Sequence, residues 1–355
     1  MKITAVRTTP FHDGSDPPAR AGSPHRCLVE LLAGSTLFGL AIAPAGAAAA
    51  ATALARDLLV GEDPRAAMSL WERTGKVVSP DDDASLFARA ALDVAVWDLK
   101  ARANVEPLWK TLGGSRPRAN AHLHRESRQG GAERLLDWYR GRFAETNIRS
   151  GSWPVGEDPE QDLQALGSLQ QALDATVPQS ALMVHFDGSG SADEAIRHIR
   201  RLESRFDLTW VRSPVRHDDA EGARLVADSV AAAVCMGRGV TDARTYRTYL
   251  QRYAANVLEL DLAVSGVSGI IQLADAAFGF ELPVALSPYP GHLAVQFCSA
   301  LPNAMSVAIG EDASGKFVRS TVTFENGRAV AGEEPGNGLV IDRDALQSVI
   351  PETAG

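Results

Sequence analysis

The sequence predicts an α/β protein: a (β/α)8 TIM barrel preceded by an N-terminal α+β domain. Three observations carry this. Strand-like runs with a hairpin signal fill the first 40 residues. Helical patterning then runs to Gly114. After Gly114, eight short apolar runs alternate with helical stretches. Such alternation places helices against a parallel sheet, and eight units close a barrel. A length of 355 residues accommodates a barrel plus a smaller domain.

The elements follow in order. Ile3 to Thr9 is rich in β-branched residues, and Cys27 to Leu32 and Thr36 to Leu40 are strand-like runs split by Ala33-Gly34-Ser35. The stretch from His12 to Pro18 is a polar loop with two prolines. Ala47 to Leu59 reads as a helix, and Asp63-Pro64 opens another, with proline tolerated in the first turn. Acids from Asp81 to Asp83 start a third helix. Its apolar positions from Ala84 to Ala101 cover most of the circumference, so it is expected to be buried. Gly113-Gly114 ends the segment. The barrel strands are expected at Ala119 to Leu123, Thr146 to Arg149, Leu182 to Phe186, Leu208 to Val211, Ala232 to Cys235, Val257 to Leu260, Leu282 to Leu286 and Ala304 to Ala308. Asn326-Gly327, between Val318 to Phe324 and Arg328 to Val330, reads as the turn of a closing hairpin. The expected division is 1–115, 116–325 and a C-terminal segment 326–355 that returns to the first domain.

Composition narrows the function. Apolar residues make up 45% and charged residues 22%, with a net charge of -9. That balance argues against broad binding to nucleic acid or an anionic membrane. Cys27, Cys235 and Cys298 are too few and too scattered for a disulfide framework, which points to a reducing compartment and a cytoplasmic protein. No apolar signal core follows Met1, and the alanine-rich stretch from Ala41 to Ala55 is too weakly hydrophobic to span a membrane. There is no phosphate-binding glycine loop of the required spacing and no nucleophile elbow. Trp138 and Trp153 are candidates for contacts in a homo-oligomer.

The helix Ala90-Ala91-Leu92-Asp93-Val94-Ala95-Val96-Trp97-Asp98-Leu99-Lys100-Ala101, continuing to Pro107-Leu108-Trp109-Lys110-Thr111-Leu112-Gly113-Gly114, is distinctive. With Ala192-Asp193-Glu194-Ala195-Ile196 and Leu301-Pro302-Asn303-Ala304, it resembles the enolase superfamily, in the mandelate racemase and muconate lactonizing enzyme branch. The resemblance makes the first domain a cap over the barrel mouth. It implies a carboxylate substrate bound to Mg²⁺ and a base that removes its α-proton. It further implies metal-binding acids on strands three, four and five, and bases on strands two, six and seven.

The residues at those positions depart from the pattern. His185 stands where the third strand would carry a metal-binding aspartate, and Asp187 follows it where asparagine is usual. A histidine can bind a metal, so His185 alone does not settle the site; it is read as a catalytic or a pocket-lining residue. Asp187 either orients a histidine or forms a turn or helix cap. Arg212 and Arg238 replace the acids of strands four and five. Arginine offers a metal no lone pair, and two unit charges near 4 Å repel by roughly 4 kcal/mol at an effective dielectric of 20. Asn147 and Arg149 stand near strand two, where a base would be needed. Asp261 keeps the acid of strand six, Ser287 lies nearest the strand-seven position, and His292 follows five residues later. Glu311 follows strand eight. His122 and His124 share one face of the first strand, which makes His124 a candidate base near the strand's end.

The expectation is therefore a divergent family member without the usual metal-binding acids, with no metal or other cofactor. Arg149, Arg212 and Arg238, with Asn147, Ser287 and Glu311, would clamp a small carboxylate. His124, His185, Asp187, Asp261 and His292 would be the candidate catalytic groups. The activity would be a racemase, epimerase or dehydratase-like step. The alternative is a catalytically silent ligand-binding or regulatory protein whose arginines pair with internal acids.

Overall fold

The computed structural model describes residues 1–12, 25–126, 131–156, 158–176, 180–240, 243–312 and 314–349. The polar loop read from Asp13 to Pro18 lies outside them. The chain opens with an antiparallel sheet of β1 (Ile3–Phe11), β2 (Arg26–Ala33) and β3 (Leu37–Pro44). Helices α1 (Ala48–Leu58), α2 (Ala67–Gly75) and α3 (Asp83–Asn104) follow, and α4 (Leu108–Thr111) leads to the barrel. Asp82 caps α3 by accepting from the Ser85 amide. The apolar positions of α3 are buried nearly all round, because one side meets the cap sheet and the other meets the barrel.

The barrel consists of eight parallel strands: β4 (Arg118–His124), β5 (Ser150–Pro154), β6 (Ala181–His185), β7 (Leu208–Arg212), β8 (Ala233–Met236), β9 (Val257–Leu260), β10 (Val284–Leu286) and β11 (Ala304–Ile309). Pairing of β11 with β4 closes it. Helices α5 (Gly131–Thr146), α6 (Pro159–Thr176), α7 (Ala192–Glu203), α8 (Ala220–Ala227), α9 (Ala243–Arg252), α10 (Leu262–Gly279) and α11 (Val295–Cys298) connect the strands. The chain continues through β12 (Val318–Ser320), β13 (Thr323–Glu325), β14 (Arg328–Val330), β15 (Leu339–Ile341) and α12 (Arg343–Val349). The β13–β14 hairpin turns at Asn326 and Gly327, both at positive φ, and adds to the N-terminal half of β4. The C-terminal part ties back to the cap. The Asn337 amide donates to Asp98 at 2.6 Å, and Arg343 pairs with buried Glu30 at 2.6 Å.

One local departure from the sequence reading bears on the site. The second barrel strand is Ser150–Pro154, not Thr146 to Arg149. Thr146 still belongs to α5, and Asn147 leaves the helix at a φ of 53°. The Ser-Gly-Ser-Trp-Pro strand has little intrinsic β-propensity, yet every residue in it is buried, so tertiary packing overrides propensity. The glycine-rich stretch after strand six is part of α10, capped by Asp261, which accepts from Ala263 N at 2.9 Å. Ser268 lies just past a break in this helix at Gly266, which has a φ of 59°. Its amide and hydroxyl both donate to Asp93 of α3 at 2.7 Å. By length and composition α10 matches a membrane span, and 56% of it is buried inside this fold. The three cysteines are free and buried.

Candidate metal and carboxylate site at the barrel mouth

Period-two geometry builds the mouth. Met183, Trp210, Cys235, Val257 and Ala285 form a buried layer inside the barrel. Two residues further along each strand, side chains point the same way again. That step places His185, Arg212, Glu259 and Ser287 around the C-terminal opening, and the same step from His122 places His124 there. All five are at most 5% exposed.

Arg212 is the centre of this cluster. Its Nε donates to Glu259 Oε2 at 2.5 Å, and Ser287 Oγ donates to Glu259 Oε1 at 2.6 Å. Its Nη1 lies 2.9 Å from His124 Nε2, and its Nη2 lies 3.4 Å from Glu126 Oε2. Arg238, beside it and more exposed, pairs with the other Glu126 oxygen. His185 meets Ser152 Oγ through Nδ1 at 3.0 Å and the Glu126 carbonyl through Nε2 at 3.4 Å. The two imidazole rings are 4.5 Å apart.

Burial lowers the pKa of His124, and Arg212 lowers it further. Burial, with His124 and Arg212 nearby, pushes His185 well down. Both rings are therefore neutral near pH 7. Burial raises Glu126, but its bond to His124 and the charges of Arg212 and Arg238 outweigh that and hold the carboxyl well below its usual range. Asp261 is raised to about 6, first by burial and then by Glu259, against the pull of Arg212 and Arg238.

His124, Glu126 and His185 each offer a ligand atom, and these atoms lie within 4.8 Å of one another. This corrects the expectation of a divergent, metal-independent family member. Two arginines alone oppose a cation, but here Glu126 and Glu259 offset the two guanidiniums of Arg212 and Arg238. The donor set also fits a cation on local grounds. If His124 Nε2 accepts from Arg212, it has no proton for Glu126 Oε2, also 2.9 Å away. If it carries the proton, it faces the Arg212 N–H instead. One contact is frustrated in either state; a cation at Nε2 would take the lone pair that accepts from Arg212 and give Glu126 Oε2 a partner, so ion binding exchanges one contact for the other. Two imidazoles and a carboxylate suit Mn²⁺, Fe²⁺ or Zn²⁺, whereas Mg²⁺ favours an all-oxygen shell.

The remaining sequence-predicted residues scatter. Asn147 and Arg149 are exposed before β5 begins, so they stand at the opposite end of the barrel from the mouth. Asp187 is exposed and accepts from Ser189 N at 2.8 Å and Ser189 Oγ at 2.7 Å, which is turn chemistry. It lines a cleft of about 640 Å³ beside the mouth, with Phe186, Arg197 and Pro214. His292 packs its ring 5.9 Å from Phe324 of the hairpin and has Asp312, Arg142 and Glu145 as charged neighbours, so it does not join the cluster. Glu311 is exposed at the rim and pairs with Arg125 at 2.9 Å. The residue missed by sequence reasoning is Glu126. Its signal was the alternation His122, His124, Glu126, which carries the inward face of β4 past the strand's end.

Fold and mouth together define a capped (β/α)8 protein whose site lies at the C-terminal ends of the strands. Residues 133–345 match the family described as Enolase C-terminal domain-like, and residues 35–113 match the Mandelate racemase / muconate lactonizing enzyme, N-terminal domain. The chain belongs to the enolase superfamily, in its mandelate racemase/muconate lactonizing enzyme branch. A 3,6-anhydro-alpha-L-galactonate cycloisomerase of Streptomyces coelicolor is 26% identical over 85% of this chain and 84% of its own. A D-galactarolactone cycloisomerase of Agrobacterium fabrum is 25% identical over 98% of each chain. Among solved structures, a racemase from Streptomyces coelicolor A3(2) with bound magnesium superposes with a TM-score of 0.84 at 20% identity, over 98% of this chain and 99% of that one.

Proposed function

We propose that the protein is an isomerase or lyase acting beside the carboxylate of a small polyhydroxy acid, assisted by a divalent cation held by His124, Glu126 and His185. The observation that carries this reading is that donor set at the mouth of a barrel of this family. The substrate class is supported by relatives named as cycloisomerases of sugar acids and their lactones.

A bound cation would supply Lewis acidity, drawing charge from the substrate carboxylate as the neighbouring proton leaves. Arg238, the more exposed guanidinium, would meet that carboxylate at the rim, exchanging it for part of its pairing with Glu126. Arg212, locked by Glu259, would hold Glu126 in position. Asp261 takes the role of proton acceptor. It follows Glu259 by two residues in extended backbone and so continues that inward face, and burial raises its carboxyl to about 6, which suits a base working near neutral pH.

The test is α-proton exchange into deuterated water, followed by NMR for a panel of sugar acids with Mn²⁺ or Mg²⁺ added. Exchange is expected with a cation present and is expected to fall at least about 100-fold in Asp261→Asn. Asparagine still caps α10, so that loss reports chemistry rather than folding. His185→Ala is expected to weaken Mn²⁺ binding by calorimetry. Exchange that persists undiminished in chelator, or no exchange with any acid and cation, overturns the reading.

A further inference from the structure

A second cavity, of about 460 Å³, lies away from the mouth where the cap meets the barrel. Trp71 and Arg89 of the cap form one wall, and α9 and α10 form the other. The walls are largely apolar, including Leu250, Val264, Leu273 and Phe280. The polar groups are the unusual part. Arg89 and Arg247 both line the cavity, and no carboxylate does among the described residues. In a chain of net charge -9, that local imbalance attracts an anion.

Arg89 is pre-organised. Its guanidinium carbon sits 3.3 Å from the centre of the Trp71 ring, and its Nη2 donates to the Trp71 carbonyl at 3.0 Å. Its Nε is buried and has no hydrogen-bond partner. Asp93, the acid whose charge acts on Arg89, has both oxygens engaged by Ser268 at 2.7 Å. Burial lowers the Arg89 pKa to about 10, with Asp93 opposing, so the group stays charged near pH 7. Arg247, exposed on α9, has no ion pair among the described residues and stands across the cavity. The volume falls within the range of small-molecule sites.

We infer that this cavity binds a small organic anion with an aromatic or branched apolar body, its carboxylate on Arg89 and Arg247 and its body against α9 and α10. Such a ligand touches the cap through Trp71 and Arg89 and the barrel through α10.

The test titrates 3-phenylpropionate, and separately its neutral amide, into the full chain by calorimetry. Saturable binding is expected for the acid and at least about tenfold weaker binding for the amide. Ala276→Trp places an indole in the cavity from an exposed position on α10 and is expected to weaken the acid at least about tenfold, with circular dichroism and melting temperature unchanged. Arg89→Gln is expected to abolish the preference for acid over amide. His185→Ala, at the mouth, is expected to leave probe binding intact. No saturation up to about 10 mM, equal affinity for acid and amide, binding unimpaired by Ala276→Trp, or binding lost in His185→Ala would each overturn the proposal. So would a concentration-dependent dimer that Ala276→Trp dissociates without any probe bound, since that assigns the face to a second copy.

Discussion

Arg212 shows how one side chain can be visible in a sequence and still be misjudged. Its position on the fourth barrel strand and its inward direction follow from strand periodicity. Its consequence does not, because that depends on carboxylates from other parts of the chain. Glu259 is 47 residues away and Glu126 is 86 residues away, and both reach it. Counting arginines without these acids overstates the positive charge and leads to the metal-free expectation that the His124–Glu126–His185 set corrects. The pairing also sets a stability cost. Arg212→Met leaves Glu259 buried with only Ser287 as partner and is expected to destabilise by about 3–5 kcal/mol in urea unfolding. Adding Glu259→Gln is expected to recover most of that loss. If the single and double variants unfold alike, the charge pairing is not what holds this cluster.

Elements were legible where their signal is local. α3 announced itself by apolar residues on all faces, which requires packing on two sides, and it packs on two sides. The hairpin of β13 and β14 followed from Asn326-Gly327, since both central residues of that turn need positive φ. β5 failed because its strand character is imposed by burial, not by its own residues. That four-residue shift removed Asn147 and Arg149 from the mouth. Close approach of elements is likewise hidden in sequence. Gly39 of β3 lies so near α3 that a Cβ there would overlap the Ala95 carbonyl oxygen and crowd Leu99. Gly39→Ala is therefore expected to destabilise by about 1–3 kcal/mol through forced separation of β3 and α3. A midpoint of chemical unfolding equal to the parent's would refute that contact.

The cap and barrel are joined by buried polar ties across the chain. Asp93 of α3 accepts both Ser268 bonds, Trp97 Nε1 donates to Ser268 Oγ at 2.9 Å, and Tyr289 donates to the Ile42 carbonyl at 2.7 Å. Burial raises the Asp93 pKa to about 7, despite the Ser268 bonds and the nearby Arg89 charge. The folded chain therefore holds a proton that the unfolded chain, near 3.8, releases as pH rises. The contribution to stability is full below about pH 4 and declines as pH rises toward about 7, and it is flat above that. Asp93→Asn removes the titration while keeping an acceptor and a donor for Ser268. Relative to the parent, this variant is expected to gain stability at pH 8 compared with pH 5, measured by urea unfolding at both. A difference independent of pH would contradict the shifted acid.

Local pattern was enough for the barrel, the cap, the shared face of His122 and His124 and the family resemblance, because these rest on periodicities of two and 3.6 residues and on contiguous motifs. The charge balance of the mouth, the recruitment of Glu126, the exclusion of His292 and Asp187 from the cluster, and the cavity between cap and barrel were settled only by the folded chain. Each depends on side chains far apart in sequence brought within a few ångströms, and at that range pairing and burial decide which charge is satisfied and which remains available.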